Sequence, residues 1–473
     1  MLKKLTVGRA HRFAAVLVGL TLAVAPFGFA QEEEPAIPDL GLDLGIGTEF
    51  FPGDGPDLDL DGFPDGLSFQ KIVLAPQFAI GKFGIGLDIT LHYRFTGGPM
   101  GNEFEIRPED WVPADQTFIS FLDLYLPKFA FVSWGQRGEP LFIKLGSIDD
   151  ATLGNGFIVG NYDNTLFLPD TRIFGLNLNL DGQLFNFPFI GLETFVGNLA
   201  AFDVIGARLF TRPLITLDIP VLSNIQIGAT YATDTDISKH SSSVFVETDT
   251  IGAFGVDILQ PIINTDAVTL AAFADYAVLA PSDTAVEPSN GMALGVGGAL
   301  FNFLTYGAQL RILGPNFVPT YFGPVYDLIR QPSYDALTFG GGVPYAGWFA
   351  SLGTSILDGQ IVFNVGLDGP FGAAPSPDPA SFLNYPHLRA IFVVADGLLP
   401  GISFDASYDK KNIGDDEGFF EDLFSADNAV VQARFNYKTG PAVISFTYNI
   451  LFDPATPGEP QVTSGLESSL ELF

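Results

Sequence analysis

The stretch Phe83–Phe95 reads FGIGLDITLHYRF. On an extended chain Ile85, Leu87, Ile89, Leu91, Tyr93 and Phe95 share one face, and Asp88, Thr90, His92 and Arg94 share the other. A period of two marks a β-strand, because successive side chains point to opposite faces. In a soluble sandwich the apolar face is the core. In a membrane barrel the apolar face meets lipid and the polar face lines a lumen. The rest of the chain decides between them.

The alternation recurs almost to the end. Phe174, Leu176, Leu178 and Leu180 oppose Gly175, Asn177, Asn179 and Asp181. Tyr306, Ala308, Leu310 and Ile312 oppose Gly307, Gln309 and Arg311. Ile361 to Leu367, Ile402 to Tyr408, Val431 to Tyr437 and Ile444 to Ile450 repeat the pattern. Many runs reach about ten residues, the length of a spanning strand, whereas soluble strands average about five or six. The spacing predicts about twenty strands (range 16–22), the first near 40–51 and the last near 461–473, with 117–134 and 243–258 among them. Gaps after even-numbered strands are short, as at Gly81-Lys82, Asp358-Gly359, Asp396-Gly397 and Thr439-Gly440. Gaps after odd-numbered strands are long and polar, as at 52–67, 97–116, 149–171 and 316–345. Short turns on one rim and long loops on the other are what a transmembrane antiparallel up-and-down β-barrel shows, with short periplasmic turns and long extracellular loops. A soluble sandwich has no reason to sort its loops this way. Pointing Arg94, Arg311 or Arg434 at lipid would cost about 2–4 kcal/mol at the midplane. The fold class expected is all-β, a membrane barrel over 40–473.

Composition sets the limits. Lys3, Lys4, Arg9 and Arg12 precede an apolar run, Phe13 to Ala30, with a small-residue exit. This predicts a secretory signal peptide over 1–30, followed by a short periplasmic segment, 31–39. Beyond it, eighteen Lys and Arg face 54 acids, a charge of about −36, which excludes nucleic acid as a partner. There is no Cys, so lipid anchors, disulfides and thiolate chemistry are excluded. Hydrophobic residues make up 47% and charged ones 16%, which excludes a disordered acidic chain.

Signal peptide, alternating strands of spanning length and the terminal Phe473 together resemble Gram-negative outer-membrane β-barrel proteins of the porin-like type. The resemblance implies outer-membrane localisation, outer-membrane lipid around the wall and insertion by the outer-membrane barrel assembly machinery. One departure is clear. Glu471, Ser469 and Glu467 occupy the register that is usually apolar back from the terminal aromatic, and Leu466, Leu470 and Leu472 stand one residue off.

Few residues carry chemistry. His92, His240 and His387 follow the signal, and none falls in a recognisable triad, so no catalytic or cofactor-binding residue is expected and the chain reads as a non-enzyme. The GVGG and GGG runs stand in strand or loop contexts, not before helices, so nucleotide binding is discarded. Asp88, His92, Arg94, Arg311, Asp368, Asp405, Asp409 and Arg434 are expected to line the lumen. Phe51, Phe95, Trp134, Tyr437 and Phe452, near strand ends, are expected in the interfacial girdles. No plug domain is expected, and about twenty strands enclose a wide channel. The loop 149–171, with Phe157-Ile-Val at its centre, is a candidate to fold inward and narrow it; the alternative is a loop folded over the mouth. The loop 316–345 competes for that role. In GPDLDLDGFPDG, Asp57, Asp59, Asp61 and Asp65 stand as D-x-D-x-D-G-x-x-D, a spacing that can wrap one Ca²⁺ with oxygens; the alternative is a solvated acidic run. The functional expectation is an outer-membrane channel for passive diffusion of small solutes or ions, mildly cation-preferring from its carboxylates. Two alternatives stand: a transporter selective for a specific or hydrophobic ligand, and a non-conducting surface barrel whose loops bind partners.

Overall fold

The computed structural model describes residues 39–51, 66–98, 101–168, 171–217, 219, 221–239, 249–265, 267–283, 285–301, 303–357, 359–372, 374–378, 381–415, 418–425, 427–452 and 460–471. The signal segment, Asp57 to Asp65, His240 and Phe473 lie outside them. In chain order the strands are β1 (Asp39–Phe51), β2 (Leu67–Ile80), β3 (Phe83–Leu87), β4 (Ile89–Gly98), β5 (Gly101–Ile106), β6 (Phe129–Trp134), β7 (Leu141–Gly146), β8 (Gly175–Asp181), β9 (Ile190–Val196), β10 (Val204–Thr211) and β11 (Gln226–Asp234). They continue as β12 (Ile251–Asn264), β13 (Val268–Pro281), β14 (Ser289–Leu300), β15 (Leu304–Leu313), β16 (Tyr345–Ile356), β17 (Ile361–Pro370), β18 (His387–Leu399), β19 (Ile402–Lys410), β20 (Ala429–Thr439), β21 (Ala442–Leu451) and β22 (Gln461–Glu471). Helices α1 (Phe118–Tyr125), α2 (Arg330–Phe339) and α3 (Phe419–Asp422) stand in the long connections.

Each strand pairs antiparallel with a neighbour, and β22 returns to β1, with Gly465 opposite Glu49, so the sheet has no free ends. Closure satisfies the backbone polar groups that an open edge would expose in lipid. β3 and β4 form one wall strand, interrupted at Asp88, since both pair with β2. β5 folds back on β4 alone. The wall therefore has twenty strands. Tight turns join strands on the short rim; at Pro400-Gly401 the glycine takes φ +71°, where a Cβ would strike the Lys438 carbonyl.

Facing follows the alternation. Leu310, Ile312, Phe435 and Phe446 are exposed on the outer surface. Gln309, Arg311, Arg434 and Thr447, their sequence neighbours, border the interior. The last strand follows the same rule: Leu466 and Leu470 face out, and Glu467 and Ser469 face in. Glu467 is thus lumenal, which accounts for the displaced apolar register.

Three expectations are corrected. Residues 118–125 form a helix, not strand: Thr117 caps it through its hydroxyl to Ser120 N–H at 3.1 Å. Phe51 points inward, 1% exposed, edge-on to Phe69 and His92 and beneath the Arg107 guanidinium at 3.9 Å. Phe452 also turns in, against Leu166, Val325 and Val430. Phe95, Trp134 and Tyr437 remain on the outer surface. The position of an aromatic near a strand end does not determine its face; parity does. Of the strand expected over 243–258, residues 243–248 lie outside the described residues, 249 and 250 are not strand, and β12 begins at Ile251.

Candidate functional site: the lumen and its two inward loops

Inside the barrel, the segment 147–174 between β7 and β8 and the segment 314–344 between β15 and β16 fold in together. They share a parallel bridge at Val159 and Phe322, and Thr320 and Phe322 N–H donate to the Phe157 and Ile158 carbonyls at 2.8 and 3.1 Å. Phe157 stacks on Phe317 at 5.5 Å. The two candidate loops do not compete; each supplies half of one plug.

The wall is shaped to seat them. On β11–β14 one inward position per strand is alanine: Ala232, Ala253, Ala277 and Ala293 join Phe157, Ile158, Val159, Phe317 and Phe322 in one buried cluster. Gly255 leaves room for Ile158, whose Cδ1 would lie 2.6 Å from an added Cβ, and Gly291 does the same for the Phe317 ring. Close packing makes such positions intolerant of added volume.

Buried ions pin the loops. Arg330, 2% exposed, donates to Asp327 at 2.7 Å and to Asp203 at 2.9 Å, and lies 3.3 Å from Asp234 on β11. Burial alone would lower its basicity, but the three carboxylates hold it above its ordinary value. Tyr162 donates to Asp327 at 3.0 Å and Tyr326 to Asp234 at 2.8 Å. Nearer the short-turn end, Arg208 grips Asp257 at 2.6 and 2.8 Å and Glu193 at 3.2 Å, and the loop tip reaches them through Gly154 N–H to Glu193 and Asn155 to Asp275, both at 3.1 Å.

From that anchored side the segment 147–174 crosses the lumen. Its Asn161 carbonyl accepts from Arg389 of β18 at 3.4 Å, and Asn449 of β21 donates to Leu168 at 2.9 Å. It carries Asp149, Asp150 and Asp163. Asp150 is held by Arg137 at 2.5 Å and Asp149 by Lys144 at 3.1 Å. Burial, with Asp149 adding to it, pushes the Asp150 carboxyl up to about 6 against Arg137. Burial pushes Asp163 up to about 7, although Thr165 donates twice to it at 2.6 Å.

The open half of the lumen is a cavity of about 2780 Å³. Its lining runs from the short-turn rim, at Gly81, Gly359 and Gly401, to the long-loop rim, at Pro324, Phe382 and Lys411. Of the Lys and Arg residues after residue 30, all but Arg94, Lys239, Arg330 and Lys410 line it. Sixteen carboxylates stand against these fourteen bases, so the lumen is nearly balanced in a strongly acidic chain.

Among the lumen candidates, Asp88, His92, Arg311, Asp368, Asp405 and Arg434 border the cavity. Asp88 pairs with Arg172 at 2.6 Å, and Arg311 with Asp368 at 2.7 Å. Asp409 is buried beside the cavity, bonded to His387 at 3.0 Å. Arg94 stands on the extension shared with β5, bonded to Glu105 at 2.6 Å. Each described histidine lies between two carboxylates: His92 between Glu49 and Asp110, both at 2.7 Å, and His387 between Asp368 and Asp409. That arrangement fixes the ring rather than activating a nucleophile. Sequence reading missed Arg208, Arg330 and Arg389. Parity in VIGARLFT could have found Arg208, inward with Gly206 and Phe210; Arg330 lies in a loop, where no period exists.

No protein-family model matches the chain, and neither does any curated protein sequence. Solved structures similar to it include Pseudomonas aeruginosa OpdK with vanillate, 12% identical with a TM-score of 0.34, covering 92% of this chain and 98% of that one. Acinetobacter baumannii OccAB4 is 9% identical with a TM-score of 0.34, covering 93% and 99%. OccD1 (OprD) is 9% identical, also at 0.34, covering 93% and 98%. The fold is a closed, twenty-strand antiparallel β-barrel of the transmembrane type. That statement rests on closure, the apolar outer face and the polar lumen crossed by loops.

Proposed function

We propose that the protein is an outer-membrane channel for passive diffusion of small polar solutes. The observation that carries this reading is one cavity, lined by many charged and amide side chains, that reaches from one rim to the other; a barrel serving only as a surface scaffold needs no such path. Solutes cross between the inward loops and the wall that runs from β15 through β22 to β1 and on to β8. A weak cation preference fits the slight carboxylate excess of the lining and the acidic loops at the mouth. The near balance of charge inside keeps that preference small. Planar-bilayer recording of refolded protein tests both points: discrete conductance steps with a reversal potential slightly on the cation side are expected. A barrel that folds yet never conducts removes the proposal.

Acids on the crossing loop stand across from Arg389, and this favours solutes carrying both charges, because opposed fields orient a dipole. In liposome swelling, a zwitterionic amino acid should enter faster than a sugar of equal size. Export with cleavage after Ala30, insertion by the assembly machinery and Ca²⁺ at Asp57, Asp59, Asp61 and Asp65 belong to the same proposal, supported by the sequence pattern alone.

A further inference from the structure

The wall is not of even height. β6 and β7 have six residues each and β8 and β9 seven, whereas β12 and β13 have fourteen. At about 3.3 Å per residue and a tilt near 45°, six or seven residues rise roughly 14–16 Å. The apolar band of such barrels is about 25 Å tall. In this sector strands alone leave roughly 10 Å of hydrocarbon depth without wall. The edge of β4 shows the same break: on this side β6 pairs with β3 and not with β4, and β5 covers β4 only from Tyr93 upward. Between those levels the neighbour of β4 is the segment 107–128, joined by Arg107 N–H to the His92 carbonyl at 3.0 Å and Asp88 N–H to the Lys128 carbonyl at 2.8 Å.

That segment is built as a thin partition. Lipid-exposed backbone without internal hydrogen bonds is costly, and α1 satisfies its own. Phe118, Ile119 and Phe121 are exposed, Phe118 at 73%, as are Phe95, Phe104 and Phe129 on the strands beside the segment. Ser120, Asp123 and Leu124, one residue off, border the lumen with Val112 and Pro127. One polar tie joins α1 to the loop after β9, Asn198 to Asp123 at 2.9 Å. Behind the helix Lys128 lies over the Trp111 ring at 4.5 Å and has no carboxylate within salt-bridge distance among the described residues, with Asp110 and Asp88 attracting it from farther off. A cation next to an apolar partition suits a molecule with an anionic head and an apolar tail.

We infer that the segment Arg107–Lys128 closes a lateral portal, through which anionic amphiphiles with an alkyl chain and a carboxylate pass between the lumen and the surrounding lipid. The head rests at Lys128 while the chain moves past α1. The route is additional to the axial channel and does not depend on what that channel conducts.

The absence of Cys allows a direct test. Asp123→Cys with Asn198→Cys, joined by a short bismaleimide, locks α1 to the wall. The protein is placed in phosphatidylcholine vesicles containing a dodecanoate with a terminal diazirine, and photolabelled residues are mapped. Unlocked protein should carry label at Ser120, Leu124 and Phe131 on the lumen side as well as at Phe118 and Ile119 outside. Locking should reduce lumen-side label at least tenfold and leave outer label in place. Lys128→Gln should reduce lumen-side label by the carboxylate but not by the matching alcohol. Lumen-side label that is absent from unlocked protein, or indifferent to the lock, overturns the portal. Persistence of single-channel conductance in the locked protein shows that the barrel is intact and separates failure here from failure of the channel.

Discussion

Replacing Arg330 tests whether the plug is a fixed part of the channel. The guanidinium serves Asp327 from its own loop, Asp203 from the β9–β10 loop and Asp234 from the wall, and all four groups are essentially buried. Burial alone would push the Asp203 carboxyl up; Arg330 and Lys239 hold it below its usual range. Arg330→Met keeps the stem and removes the charge, leaving Asp327 with the Tyr162 hydroxyl, Asp234 with the Tyr326 hydroxyl and the Asp236 N–H, and Asp203 with Lys239 and the Val204 N–H. Breaking a buried ion pair from one side costs about 3–5 kcal/mol. At 1.4 kcal/mol per tenfold, the anchored state loses two to nearly four orders of magnitude relative to a released one. The backbone ladder of the barrel is untouched, so the loss should appear as mobility of the segments 147–174 and 314–344, not as unfolding. Single-channel recordings should show larger and noisier conductance, and protease should cut within 314–344 while the heat-modifiable gel shift persists. Arg330→Lys, which keeps charge without the fork, should fall between. Quiet traces of unchanged size in Arg330→Met would refute the reasoning, since the plug would then be held by apolar packing alone.

Other outcomes follow from the same geometry. Gly255→Val places atoms 2.6 Å from Ile158 and 2.9 Å from the Tyr276 carbonyl, so overpacking of about 1–3 kcal/mol should lift the loop and raise conductance. Phe446→Arg puts a charge on the outer face at about 2–4 kcal/mol near the midplane and should block assembly, whereas Thr447→Arg faces water and should assemble; equal yields of heat-modifiable protein would contradict the facing. Because Asp163 and Asp150 titrate near 7 and 6, both are charged at pH 8 and neutral at pH 5; cation preference read from reversal potentials should fall across that window, and Asp163→Asn should remove its upper part. Millimolar Ca²⁺ should protect 51–68 from protease, and Asp59→Asn with Asp61→Asn should abolish the protection; indifference to Ca²⁺ would leave this a solvated acidic run.

The barrel was legible because its cause is local. Period two, strand length and loop sorting are each written in neighbouring residues, and the wall count of about twenty follows from them. The site was legible only where it lies on strands. Parity places Arg311 and Arg434, and it would have turned Phe51 inward had it been preferred to position, since Gly45, Gly47 and Glu49 share that face. The plug was not legible beyond the apolar centre Phe157-Ile-Val. Its partners lie far along the chain, as Tyr162 and Asp327 do, and a loop carries no period from which to read such a pairing. Helix α1 was hidden by its own composition, because FISFLDLY suits a strand as well as a helix.

The charge distribution makes sense once the lumen is divided in two. Small inward residues on β11–β14 let apolar loop segments fill one half, and that half needs buried ion clusters only to fix the loops in place. The other half keeps water, and most of the scarce bases stand along it beside carboxylates, which offset the desolvation that a lone buried charge would meet. A chain with 54 acids could have lined its channel with negative charge alone. Placing fourteen bases inside instead gives the path opposed fields, which discriminate by the charge pattern of a solute more than by its net sign. Neutralising one sign inside, by Arg389→Gln with Arg434→Gln, should therefore shift cation preference more than removing an equal number of acids from the outer loops.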